Sequence, residues 1–241
     1  LSVNRFPELI KVKYLASIAK NISEVSLKIK GFEESYKRST GSVSLLAVSK
    51  KHSEDKIRQA AAAGIRNFGE NYFQEAEQKI KNLTDLDLSW HFIGSIQANK
   101  TRKIAVHFDW VHSIDQERIS RRLNDHRPES HPLLNVCVQI NLSNEKNKSG
   151  TELDHAKNLC SVITSLPNLR LRGLMAIPAP LPDLESQRNC FHQLNRAFEA
   201  LKKSYTSMDT LSMGMTNDFE AAVAEGSTMV RLGSAIFGPR V

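Results

Sequence analysis

Two lysines, Lys50 and Lys51, follow directly on the apolar run SVSLLAVS at 42–49. Lysine is rarely buried, so a lysine at the exit of a buried strand raises one chemical possibility, imine formation with a carbonyl compound. Only the neutral amine attacks a carbonyl. A free lysine with a pKa of about 10.4 is neutral in only about one molecule in 2,500 at pH 7. Desolvation and neighbouring cations such as Lys51 or Arg231 would lower that pKa. The plainer reading makes Lys50 and Lys51 the exposed exit of a strand. Periodicity does not say which of them points inward, because both faces of the run are apolar.

Two later segments offer a different chemistry. Ser212-Met213-Gly214-Met215 and Arg231-Leu232-Gly233-Ser234 each combine hydroxyls with glycines. Glycine lets a ligand approach the backbone closely, and helix N-termini favour anions. Phosphate is the anion such a pair of loops would hold, although small residues after strands are also ordinary turn formers. A lysine together with a phosphate cradle points to a phosphorylated carbonyl compound. Pyridoxal phosphate fits, with Arg231 as partner of its pyridine nitrogen. A sugar phosphate cleaved by an aldolase fits as well. The residues alone do not separate the two.

The elements that must position these residues alternate along the chain. Pro7 to Tyr36 reads as a helix, with Leu9, Val12, Leu15, Ile18, Ile22, Val25 and Ile29 three or four apart. Strands are expected at 42–49, 66–69, 88–93, 110–114, 133–141, 169–177, 211–214 and 229–237, with a helix in each interval. Strict alternation of strand and helix makes the strands parallel. Eight such units predict a single (β/α)8 TIM barrel with an extra N-terminal helix over 1–38, and an open doubly wound sheet is the rival. Pro178–Pro182 reads as a strand-to-helix loop, not a domain linker. In a barrel the site lies at the C-terminal strand ends. These are Ser49–His52, Gly69–Tyr72, Gly94 after His91, Asn144–Gly150, the end near Met175, Ser212–Met215 and Arg231–Ser234.

Composition narrows the partners. Of 241 residues, 40% are hydrophobic and 24% charged, which argues against a disordered or fibrous chain. Lys and Arg exceed Asp and Glu by 33 − 26 = 7, but the basic residues are scattered among acids and no nucleic-acid motif accompanies them. No nucleic-acid partner is expected. No run reaches the roughly 18 apolar residues of a membrane helix. The start, LSVNRFPELIKVKYL, lacks the apolar core of a signal peptide, so a cytoplasmic location is expected. It begins with Leu, which leaves room for a few further native residues. Cys137, Cys160 and Cys190 are odd in number and lack CxxC or CxxH spacing. Neither a disulfide framework nor a metal site is expected.

The joint occurrence of AVSK, FGENY, WHFIG, RGLMAI, SMGM and RLGSAIFG, spread over Leu45 to Arg240, resembles the pyridoxal phosphate homeostasis proteins of the YggS/PROSC type. The resemblance implies a barrel like the N-terminal domain of alanine racemase. It implies that Lys50 forms an imine with pyridoxal phosphate, that Ser212, Gly233 and Ser234 contact the phosphate, and that Arg231 faces the pyridine nitrogen. It places Asn71 beside the cofactor ring, with His91, Met175 and Met213 as pocket walls.

Two physical points shape the implied function. An arginine at the pyridine nitrogen keeps its own proton, so the ring nitrogen should stay unprotonated and the cofactor should be a weak electron sink. Alanine racemases carry a further β domain with a catalytic tyrosine, and this chain ends at Val241, so a site without that domain is expected. The leading expectation is a monomeric carrier without turnover. It would hold pyridoxal phosphate on Lys50, hand it to apo-enzymes, and serve vitamin B6 and amino-acid/keto-acid balance. The alternatives are a weak amino-acid racemase and an RNA-binding or interaction protein.

Overall fold

In the computed structural model the backbone is described for residues 6–142 and 149–239, and the side chains from residue 18 onward. Leu9, Val12, Leu15 and the segment Asn144–Lys148, named above, lie outside the described side chains or residues. Helix α1 (Phe6–Ser35) is followed by β1 (Ser44–Val48), α2 (Glu54–Ala62), β2 (Asn67–Glu70), α3 (Phe73–Asn82) and β3 (Ser89–Phe92). Then come α4 (Thr101–His107), β4 (Trp110–Ile114), α5 (Glu117–His126), β5 (Leu134–Ile140), α6 (Ala156–Thr164) and β6 (Leu169–Ala176). The chain continues with α7 (Leu184–Lys202), β7 (Thr210–Ser212), α8 (Phe219–Ala224), β8 (Met229–Leu232) and α9 (Ser234–Phe237). Short 3₁₀ turns at Ala98–Lys100 and Leu153–His155 lead into α4 and α6.

The eight strands pair in sequence order, all parallel, and β1 pairs with β8 to close the barrel. That closing ladder, with Leu46 opposite Arg231, excludes the open doubly wound sheet. Side chains alternate along each strand. The outward set joins the helices in one large apolar shell that includes Phe68, Val111, Val136, Leu174, Leu211 and Leu232. Inside, Leu46, Val48, Ile93 and Met229 form a separate small cluster. The interior also carries the polar side chains Asn67, His91, His112, Ser212 and Arg231.

Helix α1 covers the β8 side. Its buried stripe Ile18, Ile22, Val25 and Ile29 continues into Glu33, whose carboxylate accepts from Gly41 N (3.0 Å), Ser42 Oγ (3.1 Å) and Val43 N (2.8 Å). One side chain therefore fixes the entry into β1. Asn21 Nδ2 donates to Ile236 O (2.9 Å) and Lys56 Nζ to Phe237 O (3.1 Å), so α1 and α2 satisfy the terminal carbonyls of α9.

Strand bounds match expectation to within two residues except at the end of the last strand, and two of the differences have a clear physical cause. The last strand stops at Leu232 instead of running to Phe237, because Gly233 O accepts from Ile236 N and Phe237 N, which begins a helical turn. An apolar run of four residues reads equally as strand or helix. Strand β7 stops at Ser212, since Gly214 takes φ +99°, outside the strand region.

Close approach also governs the loop after β3. A Cβ on Gly94 would fall on the carbonyl oxygen of Asn71, and Ser113 Oγ donates to Gly94 O (2.6 Å). Gly94→Ala is expected to destabilise the protein by about 1–3 kcal/mol, lowering the melting temperature by roughly 2–12 °C. A melting curve that superimposes on wild type would show that this loop relaxes freely.

Candidate site at the barrel mouth

Lys50 directly follows Ser49, whose N–H still pairs with Gly69 O (3.0 Å). Alternation puts Lys50 on the side of Leu46 and Val48, the barrel interior, and Ser49 on the side of the helices. The residues flanking Lys50 are clamped by one ammonium group. Lys79 of α3, 5% exposed, donates to Ser49 O (2.8 Å), Glu70 Oε1 (2.7 Å) and Glu75 Oε1 (2.6 Å). Ser49 Oγ donates to the same Glu70 oxygen (2.6 Å), and Lys51 N donates to Glu75 Oε1 (2.5 Å). Lys51 sits at φ +62°, a conformation that costs a non-glycine residue energy and needs surrounding structure to hold it. The Glu75 contact supplies that support. Burial pushes the Glu70 carboxyl up, against the pull of Lys79.

Across the barrel, Arg231 is 3% exposed. Its Nη1 donates to Ser212 Oγ (2.7 Å) and its Nη2 to Ala176 O (2.8 Å), ties that reach β7 and the end of β6. Both acceptors are neutral. Among the described residues no carboxylate forms an ion pair with it, although Asp218 contributes at longer range. Burial lowers its pKa to about 10, which leaves the guanidinium charged at neutral pH.

The polar interior continues downward. Ser212 Oγ lies 3.0 Å from His112 Nδ1, His112 Nε2 lies 2.9 Å from His91 Nδ1, and His91 Nε2 lies 3.1 Å from Asn67 Oδ1. His91 stacks on Trp110 with ring centroids 5.2 Å apart. Both imidazoles are fully buried. Burial, with Arg172 nearby, lowers the pKa of His91 to about 3. Burial, His91 and Arg231 hold His112 well below the usual histidine range.

The loops after β7 and β8 meet at α9. Arg231 N donates to Gly214 O (2.9 Å), which fastens the two loops together. The N–H groups of Ser234 and Ala235 precede any intrahelical acceptor. Ser234 Oγ lies 3.4 Å from Thr216 Oγ1, and both residues are exposed. Gly233 packs close to the end of β1, where a Cβ would meet Val48 O at 3.2 Å.

These positions sort the expected site residues. Lys50 follows β1, and Arg231, Gly233 and Ser234 end and follow its paired neighbour β8, all at the C-terminal side of the barrel. Asn71 follows β2 at the same rim, and its buried Oδ1 accepts no hydrogen bond from the described residues. It lines a cavity of about 430 Å³ with Tyr72, Gly94, Ser95, Gln97 and Lys100. Met175 shares a register with Ser212 on the inner face, outside the apolar shell. Three residues stand apart from the expected roles. Met213 joins the shell between sheet and helices, because it follows inward-facing Ser212 by one residue. The Ser212 hydroxyl is 0% exposed and committed to Arg231 and His112. His91 lies deeper in the interior, against Asn67 and Trp110 near the starts of their strands. Sequence reasoning missed Thr216, Lys79, Glu75 and His112, and gave Glu70 no role beyond its place in the Gly69–Tyr72 strand end. A hydroxyl two residues past Gly214 was the available signal for Thr216.

Comparison with known proteins follows the same lines. The family model for the alanine racemase N-terminal domain matches residues 32–241. The pyridoxal phosphate homeostasis protein of Pseudomonas aeruginosa is 49% identical over 94% of this chain and 97% of its own length. That of Escherichia coli K12 is 50% identical over 92% and 97%. The structure of PipY from Synechococcus elongatus with pyridoxal phosphate bound is 36% identical, with a TM-score of 0.78 over 92% of this chain and all of that one. Alanine racemase of Corynebacterium glutamicum shares the fold at 18% identity and a TM-score of 0.71, over 93% of this chain and 62% of its own.

Two expectations test the site's electrostatics. Lys79→Met strands the buried Glu70 charge and should cost roughly 3–5 kcal/mol in denaturant unfolding, and adding Glu70→Leu should recover part of that loss. A double variant no more stable than Lys79→Met would contradict the ionic clamp. The two histidines set a pH dependence. Their folded pKa values lie below the unfolded value of about 6.5, so between about pH 3 and 6.5 the unfolded state binds more protons and stability falls as pH falls. From pH 7 to 5.5 the loss should be about 1 kcal/mol for each imidazole. The variant His91→Gln/His112→Gln should lack that loss. Equal losses in both proteins would mean that the imidazoles are not held neutral.

Proposed function

The chain belongs to the alanine racemase N-terminal domain family and to the pyridoxal phosphate homeostasis proteins, and from that premise we propose that it is a carrier of pyridoxal phosphate. One observation carries the reading. A charged guanidinium is buried in the barrel interior with, among the described residues, only neutral hydrogen-bond partners, and the strand beside it leads into a lysine whose two flanking residues are clamped. The residues fit the cofactor. The Lys50 amine supplies the covalent anchor, an imine formed with loss of one water. Arg231 offers a hydrogen bond to an unprotonated ring nitrogen. The exposed hydroxyls of Thr216 and Ser234, with the first N–H groups of α9 and the close-packed Gly233, hold the phosphate. The Asn71 amide would lie beside the ring, and Met175 would form part of the inner wall.

When bound, the cofactor supplies an electron sink for amino-acid chemistry. An arginine that keeps its proton makes that sink weak, and this favours holding and handing over the aldehyde rather than turnover. The Ser212 hydroxyl acts through Arg231 and not on the phosphate. On this reading the protein is a cytoplasmic monomer built as one barrel domain with α1 packed on it. It limits free pyridoxal phosphate, passes it to apo-enzymes, and so bears on amino-acid and keto-acid balance. No helix among the described residues is long and apolar enough to cross a membrane.

The test is the visible absorption spectrum of purified protein incubated with pyridoxal phosphate, for wild type and Lys50→Ala. An imine band in wild type, lost in the variant, with borohydride fixing the adduct on the Lys50 peptide, is the expected result. Turnover of L- to D-amino acids should be at background in both. A wild type that stays colourless overturns the cofactor assignment, and racemisation at the rates of dedicated racemases overturns the carrier.

A further inference from the structure

Resting on the reading of the mouth as a pyridoxal phosphate site, we propose that His112 and His91 are positioning residues for Arg231, acting through a one-way hydrogen-bond chain that crosses the barrel interior. The chain runs from Arg231 Nη1 to Ser212 Oγ, His112, His91 and Asn67, in four steps of 2.7, 3.0, 2.9 and 3.1 Å. It links β8, β7, β4, β3 and β2.

Its direction follows from valence. Asn67 presents Oδ1, an acceptor, so His91 Nε2 carries the proton. A neutral His91 then accepts at Nδ1, and His112 donates from Nε2. A neutral His112 accepts at Nδ1, which only the Ser212 hydroxyl proton can fill. The Ser212 oxygen is left to accept from Arg231, which can only donate. Every atom is satisfied. The opposite direction would require the Ser89 hydroxyl (3.3 Å) or the Asn67 amide nitrogen to donate to His91 Nε2, and it would leave the Ser212 proton without an acceptor.

Neutrality is set by everything that packs around the pair. His91 faces Ser89, Asn67 and the Trp110 ring, and Arg172 stacks on that same ring at 4.4 Å while pairing with Asp209. His112 faces His91, Trp110 and Ser212, with Arg231 beyond. Asp218 and the buried Cys137 act on Arg231 at longer range. The nearest charges to both rings are cations, which oppose an imidazolium.

The chain does what packing alone would not. A buried polar network is favourable only when complete, and an apolar filling would avoid that demand. Here the chain gives Nη1 a fixed acceptor while Ala176 O takes Nη2, so the guanidinium plane is held at two points. Its remaining N–H groups stay available for a ligand. Breaking the chain at His112 frees the Ser212 hydroxyl to turn, and Nη1 loses its fixed partner. Glutamine at 112 can accept from Ser212 and donate to His91, whereas phenylalanine fills the space and does neither.

The experiment has two arms. In the first, the apo-protein labelled with 15N-histidine is followed by long-range ¹H–¹⁵N NMR from pH 5.5 to 8. Both rings are expected as the Nε2–H tautomer with no titration. An Nδ1–H tautomer, or titration in that range, overturns the chain whether or not any variant folds. In the second, pyridoxal phosphate retention and the pH profile of the imine band are compared among wild type, His112→Gln and His112→Phe, with melting curves as the control for folding. His112→Phe should weaken retention about tenfold and shift the profile, and His112→Gln should stay within about threefold of wild type. Equal retention in wild type and His112→Phe overturns the positioning role with the site intact. A wild type that retains no cofactor overturns the site reading instead.

Discussion

A closed sheet of parallel strands leaves each residue two environments only, the barrel interior or the shell beneath the helices, and neighbours on a strand must take opposite ones. The site depends on how that alternation falls at the C-terminal ends of β1, β7 and β8. At β1 it sends Ser49 to the shell, where Lys79 and Glu70 hold it, and turns Lys50 toward the mouth. At β7 it turns Ser212 inward and Met213 outward. At β8 it brings Arg231 inward between Leu46 and Ser212. A shift of one residue in any of these strands would exchange every such pair and dismantle the mouth.

Charge is then distributed in two separate layers. The Lys79 network sits on the shell side, with one ammonium shared between two carboxylates. The interior network is cationic at its head and uncharged along its length. Buried charges are costly unless paired or hydrogen-bonded. A fold that keeps a guanidinium inside the barrel with neutral partners therefore accepts a cost that an apolar interior would avoid. On the proposed function that cost has a use, because a cation bonded to neutral acceptors keeps N–H groups to offer an incoming acceptor. The shell-side clamp acts elsewhere, holding the β1 terminus and the left-handed Lys51 on either side of Lys50.

The sequence was most legible where periodicity and punctuation agree. Strand and helix alternated clearly enough to read eight units and their parallel sense, and the apolar runs at 42–49 and 133–141 located β1 and β5. The place of Lys50, Arg231, Gly233 and Ser234 at the C-terminal ends of two strands was legible from the alternation alone. Less was readable where the outcome depends on partners distant in the chain. Ser212 looks like a phosphate ligand beside two glycines, and only the fold shows its hydroxyl facing Arg231 and His112. Met213 resembles a pocket wall until alternation puts it in the shell. Lys79 and Glu70 read as ordinary helix and strand-end charges, nine residues apart, and nothing local marks them as a buried pair. SAIF at 234–237 is apolar and β-compatible, and what makes it a helix is Gly233 turning its carbonyl onto residues 236 and 237.

The arrangement also bears on why such a barrel would store a reactive aldehyde rather than use it. An electron sink is strong when the ring nitrogen is protonated, which calls for an acidic partner there. Arg231 has the opposite character, and at a pKa of about 10 it remains a donor throughout the physiological range. The groups that would hold the phosphate differ in kind from those that would hold the ring. Thr216 and Ser234 are exposed and weakly coupled at 3.4 Å, whereas Arg231 and its chain are buried and rigidly bonded. A ligand held by a rigid interior partner at one end and a solvent-facing cradle at the other is oriented well but released easily once its covalent anchor opens. Those are the properties of a reservoir. They follow from placing the strongest bonds of the site among the protein's own side chains, leaving the ligand to complete the arrangement rather than to create it.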